Sequence, residues 1–68
     1  MKKVYQVKKI GNGKMELLND FNDFNKASEY AVLWSNENNQ SSFIYNRNSV
    51  KASYFTHKVG DGIYQLFR

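Results

Sequence analysis

Phe24-Asn25-Lys26-Ala27-Ser28-Glu29-Tyr30-Ala31-Val32-Leu33-Trp34 decides the fold of this chain. Phe24, Ala27, Tyr30, Ala31 and Trp34 recur at the spacing that lines one side of a 3.6-residue helix. Val32 and Leu33 flank that stripe. Small residues at its centre, Ala27 and Ala31, let a helix lie close on a sheet. The stripe is expected to be buried, with Trp34 as its largest member. Upstream, Asn19-Asp20-Phe21-Asn22-Asp23 reads as the approach to the helix. Asn22 is the expected N-cap, and Asp23 then favours the positive end of the helix dipole. Downstream, Ser35-Asn36-Glu37-Asn38-Asn39 is a polar run of poor helix formers that ends it.

The residues before the helix form a hairpin pattern. Val4-Tyr5-Gln6-Val7-Lys8-Lys9-Ile10 is rich in β-branched and aromatic residues and predicts a strand. Gly11-Asn12-Gly13 follows. Asn-Gly between two apolar runs is a strong hairpin signal, because a type I′ turn needs positive φ at both central residues. Lys14 to Leu18 is the return strand. After the helix, Ser42 to Asn46 predicts a short strand around Phe43-Ile44-Tyr45, and Arg47-Asn48-Ser49 a turn. Val50 to Val59 predicts a longer strand, Gly60-Asp61-Gly62 a second hairpin turn, and Ile63 to Phe67 the last strand. The order is ββαβββ. Tight turns favour antiparallel pairing. The expected fold is one α+β domain over residues 1–68, a mostly antiparallel sheet of four or five strands with one helix packed on one face.

A sheet with its second face in water alternates apolar and polar residues. These strands do not. Tyr5 and Val7 share one parity, while Val4 and Ile10 share the other. Phe43 and Tyr45 oppose Ile44. Phe55 and Val59 oppose Tyr54. Ile63 and Phe67 oppose Tyr64 and Leu66. Large apolar groups thus fall on both faces. Either curling or a β-bulge buries the second set, or the helix-free face is an interaction surface.

The 68 residues are too few to bury more than roughly 60% of the unfolded chain's surface, so stability is marginal. No cysteine is present, which excludes disulfides and thiolate metal sites and suits a reducing cytosol. No apolar run reaches the roughly 20 residues of a membrane span, and the N-terminal stretch is too polar for a signal-peptide core. A cytoplasmic location is the expectation. Good packing or a homodimer would offset the small core.

Charge is divided in blocks. Residues 1–14 carry five lysines and no acid, residues 15–37 carry a net charge of −4, and residues 38–68 carry +3, within an overall +4. The acidic block coincides with the helix and the basic blocks with the strands. Such a field steers an anionic partner to one side.

Little of the sequence carries catalytic chemistry. His57 is the single histidine, so neither a zinc site nor a nucleophile–His pair can be assembled from sequence alone. Asp20 and Asp23 among asparagines resemble a calcium loop, but its glycine and terminal Glu are missing. The glycine pair at Gly11 and Gly13 lacks the remainder of a phosphate loop. No cofactor motif is present. The expected function is therefore non-catalytic binding. Lysines interleaved with Tyr and Phe are the chemistry that single-stranded nucleic acids use. Lysines on strands also guard edges against aggregation. The candidate partner-binding residues are Lys2, Tyr5, Lys8, Lys9, Arg47, Lys51, Tyr54 and Lys58.

A Lys-rich start with Lys2 and Tyr5-Gln6-Val7-Lys8 leads to a central helix around Ala27 and Ala31. Phe43-Ile44-Tyr45 follows, with a final hairpin from Tyr54-Phe55-Thr56-His57-Lys58 through Gly62-Ile63-Tyr64. This layout resembles small phage anti-CRISPR proteins, in particular inhibitors of the type I-F kind. The nine asparagines, and eight lysines to two arginines, fit the AT-rich genomes common among phages. The resemblance implies a non-enzymatic blocker seated on the nucleic-acid-binding surface of a host CRISPR complex. Lys58 matches a functional basic position of that pattern. The helix departs from it, carrying Glu29 where the pattern has a basic contact. The resulting expectation is an inhibitor that binds a host defence protein or ribonucleoprotein through a basic, aromatic sheet surface. The alternatives are a small nucleic-acid-binding protein and a homo-oligomer with a structural or regulatory role.

Overall fold

The computed structural model describes residues 4–68. The elements run β1 (Tyr5–Gly11), β2 (Lys14–Phe21), α1 (Phe24–Asn38), β3 (Phe43–Asn46), β4 (Tyr54–Val59) and β5 (Ile63–Phe67). The five strands form one sheet in the order β2-β1-β3-β4-β5, with every neighbouring pair antiparallel. The helix packs on one face. This is the α+β fold, and the ββαβββ order, that the patterning implies.

Turn chemistry fixes both hairpins. Asn12 and Gly13 have φ of 54° and 81°, the two positive values that a type I′ turn demands. Gly62, at φ 92°, closes the second turn, and its N–H donates to the Val59 carbonyl.

Three local details differ from the sequence reading. The N-cap is Asp23, not Asn22. Asp23 has extended backbone, and its carboxylate accepts from the Lys26 N–H, three residues on. An acceptor immediately before the first helical residue reaches that donor. The second difference is β2, which continues through Phe21 rather than stopping at Leu18. Leu18 is an extra residue in the ladder. Leu17 opposes Lys8 and Asn19 opposes Val7, so Leu18 lies opposite no residue of β1. This bulge resets the alternation and lets Asn19, Asp20 and Phe21 pair with Val7, Gln6 and Tyr5. The third is β4, which starts at Tyr54, not Val50. Residues 47–53 form an irregular connection in which the Ser49 hydroxyl donates to the Lys51 carbonyl, and Val50 is 92% exposed.

The core lies between α1 and the sheet. Val7, Ala27, Ala31 and Ile44 have no exposed surface. Tyr5, Leu18, Phe21, Phe24, Tyr30, Tyr54 and Leu66 pack around them. Full burial of Val7 and Ile44 contributes about 1.5–3 kcal/mol each. Trp34 corrects the sequence expectation. The buried helix residues are Ala27, Ala31 and Ser35. That line is set by the spacing 27, 31, 35, and it leaves Trp34 half-buried at the flank, outside the core cluster.

Ser35 belongs to a sealed hydroxyl knot. Ser35, Ser42 and Thr56 are all fully buried. Ser35 Oγ lies 2.6 Å from Thr56 Oγ1 and 2.9 Å from Ser42 Oγ. The Ser42 hydroxyl donates to the Ala31 carbonyl, and the Ser42 N–H donates to Thr56 Oγ1 at 2.7 Å. The knot ties α1 to β4 and to the segment leading into β3. Among the described residues, no buried side-chain polar atom is left without a partner.

Candidate functional site

The helix covers one face of the sheet, and among the described residues no other element covers the second face. Ladder register states which residues share the open face, since directly paired residues point the same way. Leu17 pairs with Lys8, Lys8 with Phe43, Phe43 with Phe55, and Phe55 with Phe67. One row therefore crosses all five strands. At a strand spacing of about 4.8 Å it is roughly 20 Å long. Farther along the same face lie Ile10 and Met15 at one end and, beyond the polar pair His57 and Gln65, Val59 and Ile63 at the other. Leu17, Ile10 and Ile63 are more than half exposed. Phe55 and Phe67 are a little over one-third exposed, and their rings stack at 5.9 Å. The edge of Phe67 also meets the ring of His57. Between strands β1 and β3, the Lys8 ammonium sits 4.6 Å from the centre of the Tyr45 ring. The bulge at Leu18 does not bury this face. It turns Leu18 inward and leaves Leu17 outside.

The electrostatics of the face are not those expected from the strand composition. Among residues in ladder register, the ionic members of the open face are Lys8 and Asp20, one of each sign. Lys9 has the opposite parity and is engaged by Glu16 at 2.8 Å. Lys58 also has helix-side parity and lies over the Tyr64 ring at 5.9 Å. Arg47 and Lys51 are exposed in the connection between β3 and β4. Tyr5 and Tyr54 point to the helix, where both pack on Phe24 with ring centres 5.5 and 4.6 Å away. Lys2 lies outside the described residues. Of the eight candidate binding residues, Lys8 is the one that the strand register places on the open face. The others described lie on the helix side or in the β3–β4 connection.

The residues that make the open face were visible as a second apolar parity. The candidate binding residues do not include Phe43, Phe55, Phe67 or Leu17, whereas Tyr5 and Tyr54 pack against the core. Strand pairing was the missing information, because parity alone does not say which set meets the helix.

His57 is exposed and pairs with Gln65 across the hairpin. The hydroxyl knot is sealed and bonded within itself. Among the described residues, no three His, Cys, Asp or Glu side chains gather as a metal site, and no helix is long and apolar enough to cross a membrane. Comparison with known protein families, characterised proteins and solved structures gives no match for this chain.

Proposed function

We propose that this chain is a non-catalytic interaction protein whose docking surface is the helix-free face of the sheet. The observation that carries the reading is the row Leu17–Lys8–Phe43–Phe55–Phe67, in which four of five side chains are apolar and Leu17, Phe55 and Phe67 are exposed. Monomeric proteins rarely leave contiguous apolar patches of more than a few hundred Å² in water unless something binds there. Aromatic side chains are also the usual anchors of protein interfaces. Among the described residues in ladder register this face carries one cation and one anion, which offers little to a phosphate backbone, so a protein surface is the favoured partner over a nucleic acid.

The resemblance to small phage anti-CRISPR proteins makes a host defence complex in the host cytoplasm the partner class to test first. In that reading the chain acts by occlusion. It covers a surface the complex needs and performs no chemistry.

The test is affinity capture from host lysate with the native chain and with Phe55→Asp, each with and without nuclease. A stoichiometric protein retained after nuclease, and lost with Phe55→Asp, supports the reading and identifies the target. Partners that all disappear with nuclease move the function to nucleic-acid binding. A partner retained equally by Phe55→Asp removes the open face from the proposal.

A further inference from the structure

A second surface lies on the other side of the sheet, independent of the open face. The sheet ends at β5, whose single strand neighbour is β4. Between this edge and the outer side of α1 runs an open groove of about 600 Å³, lined by Ser28, Glu29, Val32, Leu33, Asn36 and Leu66. Leu33 is 61% exposed, although it stands beside other apolar side chains. Small-molecule clefts of this size are usually enclosed. This one is open along its length.

Beside the groove, the β5 backbone at Tyr64 is directed outward. The Tyr64 N–H does not pair with β4 but donates to Asn36 Oδ1 on the helix, at 2.8 Å. Backbone groups two residues apart on a strand point the same way, so the Leu66 N–H faces the same edge. Asn36 thus holds, with a side-chain carbonyl, the place that a backbone carbonyl of a further strand would take. An edge held by a side chain and not by a further strand can still exchange that bond for strand addition, and alternate side chains of the added strand then enter the pocket beside the edge.

We infer that the α1–β5 groove takes an extended peptide of a partner protein as a sixth strand along β5. Val32, Leu33 and Leu66 call for apolar side chains at alternate peptide positions. Glu29, the one charged lining residue, calls for a lysine or arginine beside them. Five residues of β5 set the paired length, so the occupant is a short linear segment and not a folded surface. Asn36 withdraws from Tyr64 when the peptide carbonyl arrives.

The experiment begins by panning a random-peptide display pool on the intact chain, then titrates a synthetic copy of the enriched sequence into isotope-labelled protein. The expected result is enrichment of apolar–x–apolar sequences carrying Lys or Arg, with amide shifts at Tyr64, Leu66 and Asn36. Leu33→Asp, at an exposed position, is expected to weaken binding at least tenfold, and Phe55→Asp to leave it unchanged. Glu29→Lys should reduce affinity for the basic peptide and restore it for a peptide with an acidic residue there. No enrichment from the pool overturns the inference. So does a peptide whose shifts fall on Phe43, Phe55 and Phe67, or along β2, or one that binds Leu33→Asp as well as the native chain.

Discussion

The hydroxyl of Ser35 lies 2.6 Å from that of Thr56, with no solvent access to either. The contact spans 21 residues of sequence and joins the last turns of α1 to the middle of β4. Its partner Ser42 shares a hydrogen-bond pair with Thr56, donating its N–H to Thr56 Oγ1 and accepting the Thr56 N–H at its carbonyl. Thr56→Val keeps the shape and removes the acceptor. The buried Ser42 N–H is then unsatisfied, at a cost of about 1–3 kcal/mol. In a chain of this length each kcal/mol lowers Tm by about 4–8 °C. Thermal unfolding followed by circular dichroism checks this. A Thr56→Val chain that melts with the parent contradicts the role given to the knot.

Trp34 and Ile44 make a paired prediction. Ile44 is fully buried at the centre of the sheet, and Ile44→Ala should cost about 2–5 kcal/mol. Trp34 is half-buried and outside the core cluster. Trp34→Ala should therefore cost less than Ile44→Ala, and less than the about 3–5 kcal/mol of a buried tryptophan. Urea titrations of both variants rank them. The reverse order would place Trp34 in the core.

The helix meets the sheet through Ala27 and Ala31, both without exposed surface. Enlarging either to Leu pushes α1 off Val7 and Ile44. Overpacking of this kind costs about 1–3 kcal/mol. Lys9→Gln, by contrast, removes an ion pair whose members are both partly exposed, and should change stability by less than about 1 kcal/mol. Equilibrium unfolding at low and high salt separates the two cases. A salt-dependent loss larger than this at Lys9 would mean the pair is more shielded than its exposure indicates.

Binding to single-stranded oligonucleotides gives a direct check on the charge of the open face. One lysine in the row corresponds to a shallow dependence, with log K falling by about 0.7 per log unit of salt for each phosphate neutralised. A steep slope, equivalent to several phosphates, would show that Arg47, Lys51 and Lys58 act together after all. Fluorescence anisotropy between 50 mM and 200 mM salt, roughly the range over which counterion release is diagnostic, reads the slope.

The element order was legible because each signal was local. Asn12-Gly13 and Gly60-Asp61-Gly62 announced their turns, and Ala27 and Ala31 announced a helix that lies close to a sheet. The end of β2 was not legible. Asn19 and Asp20 are poor strand formers, and only pairing with β1 across the bulge at Leu18 holds them extended. Ser35, Ser42 and Thr56 were equally silent. Each alone reads as an ordinary surface hydroxyl, and burial follows from three elements meeting. The candidate site divided the same way. Two apolar parities were readable, but the choice of which parity faces the helix depends on pairing between residues tens of positions apart. Tyr5 and Tyr54 belong to the parity that meets the helix, where both pack on Phe24.

Leu17 and Leu18 are adjacent in the chain and identical in chemistry, yet the bulge sends one out and the other in. Leu18 is tied to whether the chain folds, and Leu17, on the proposed docking face, to what the folded chain would meet. Selection can therefore act on the two codons separately. A partner that changes its surface can be followed by substitutions at position 17 with the fold intact, while position 18 stays fixed. The unpaired residue of the bulge thus lets a substitution on the proposed docking face be made without touching the core.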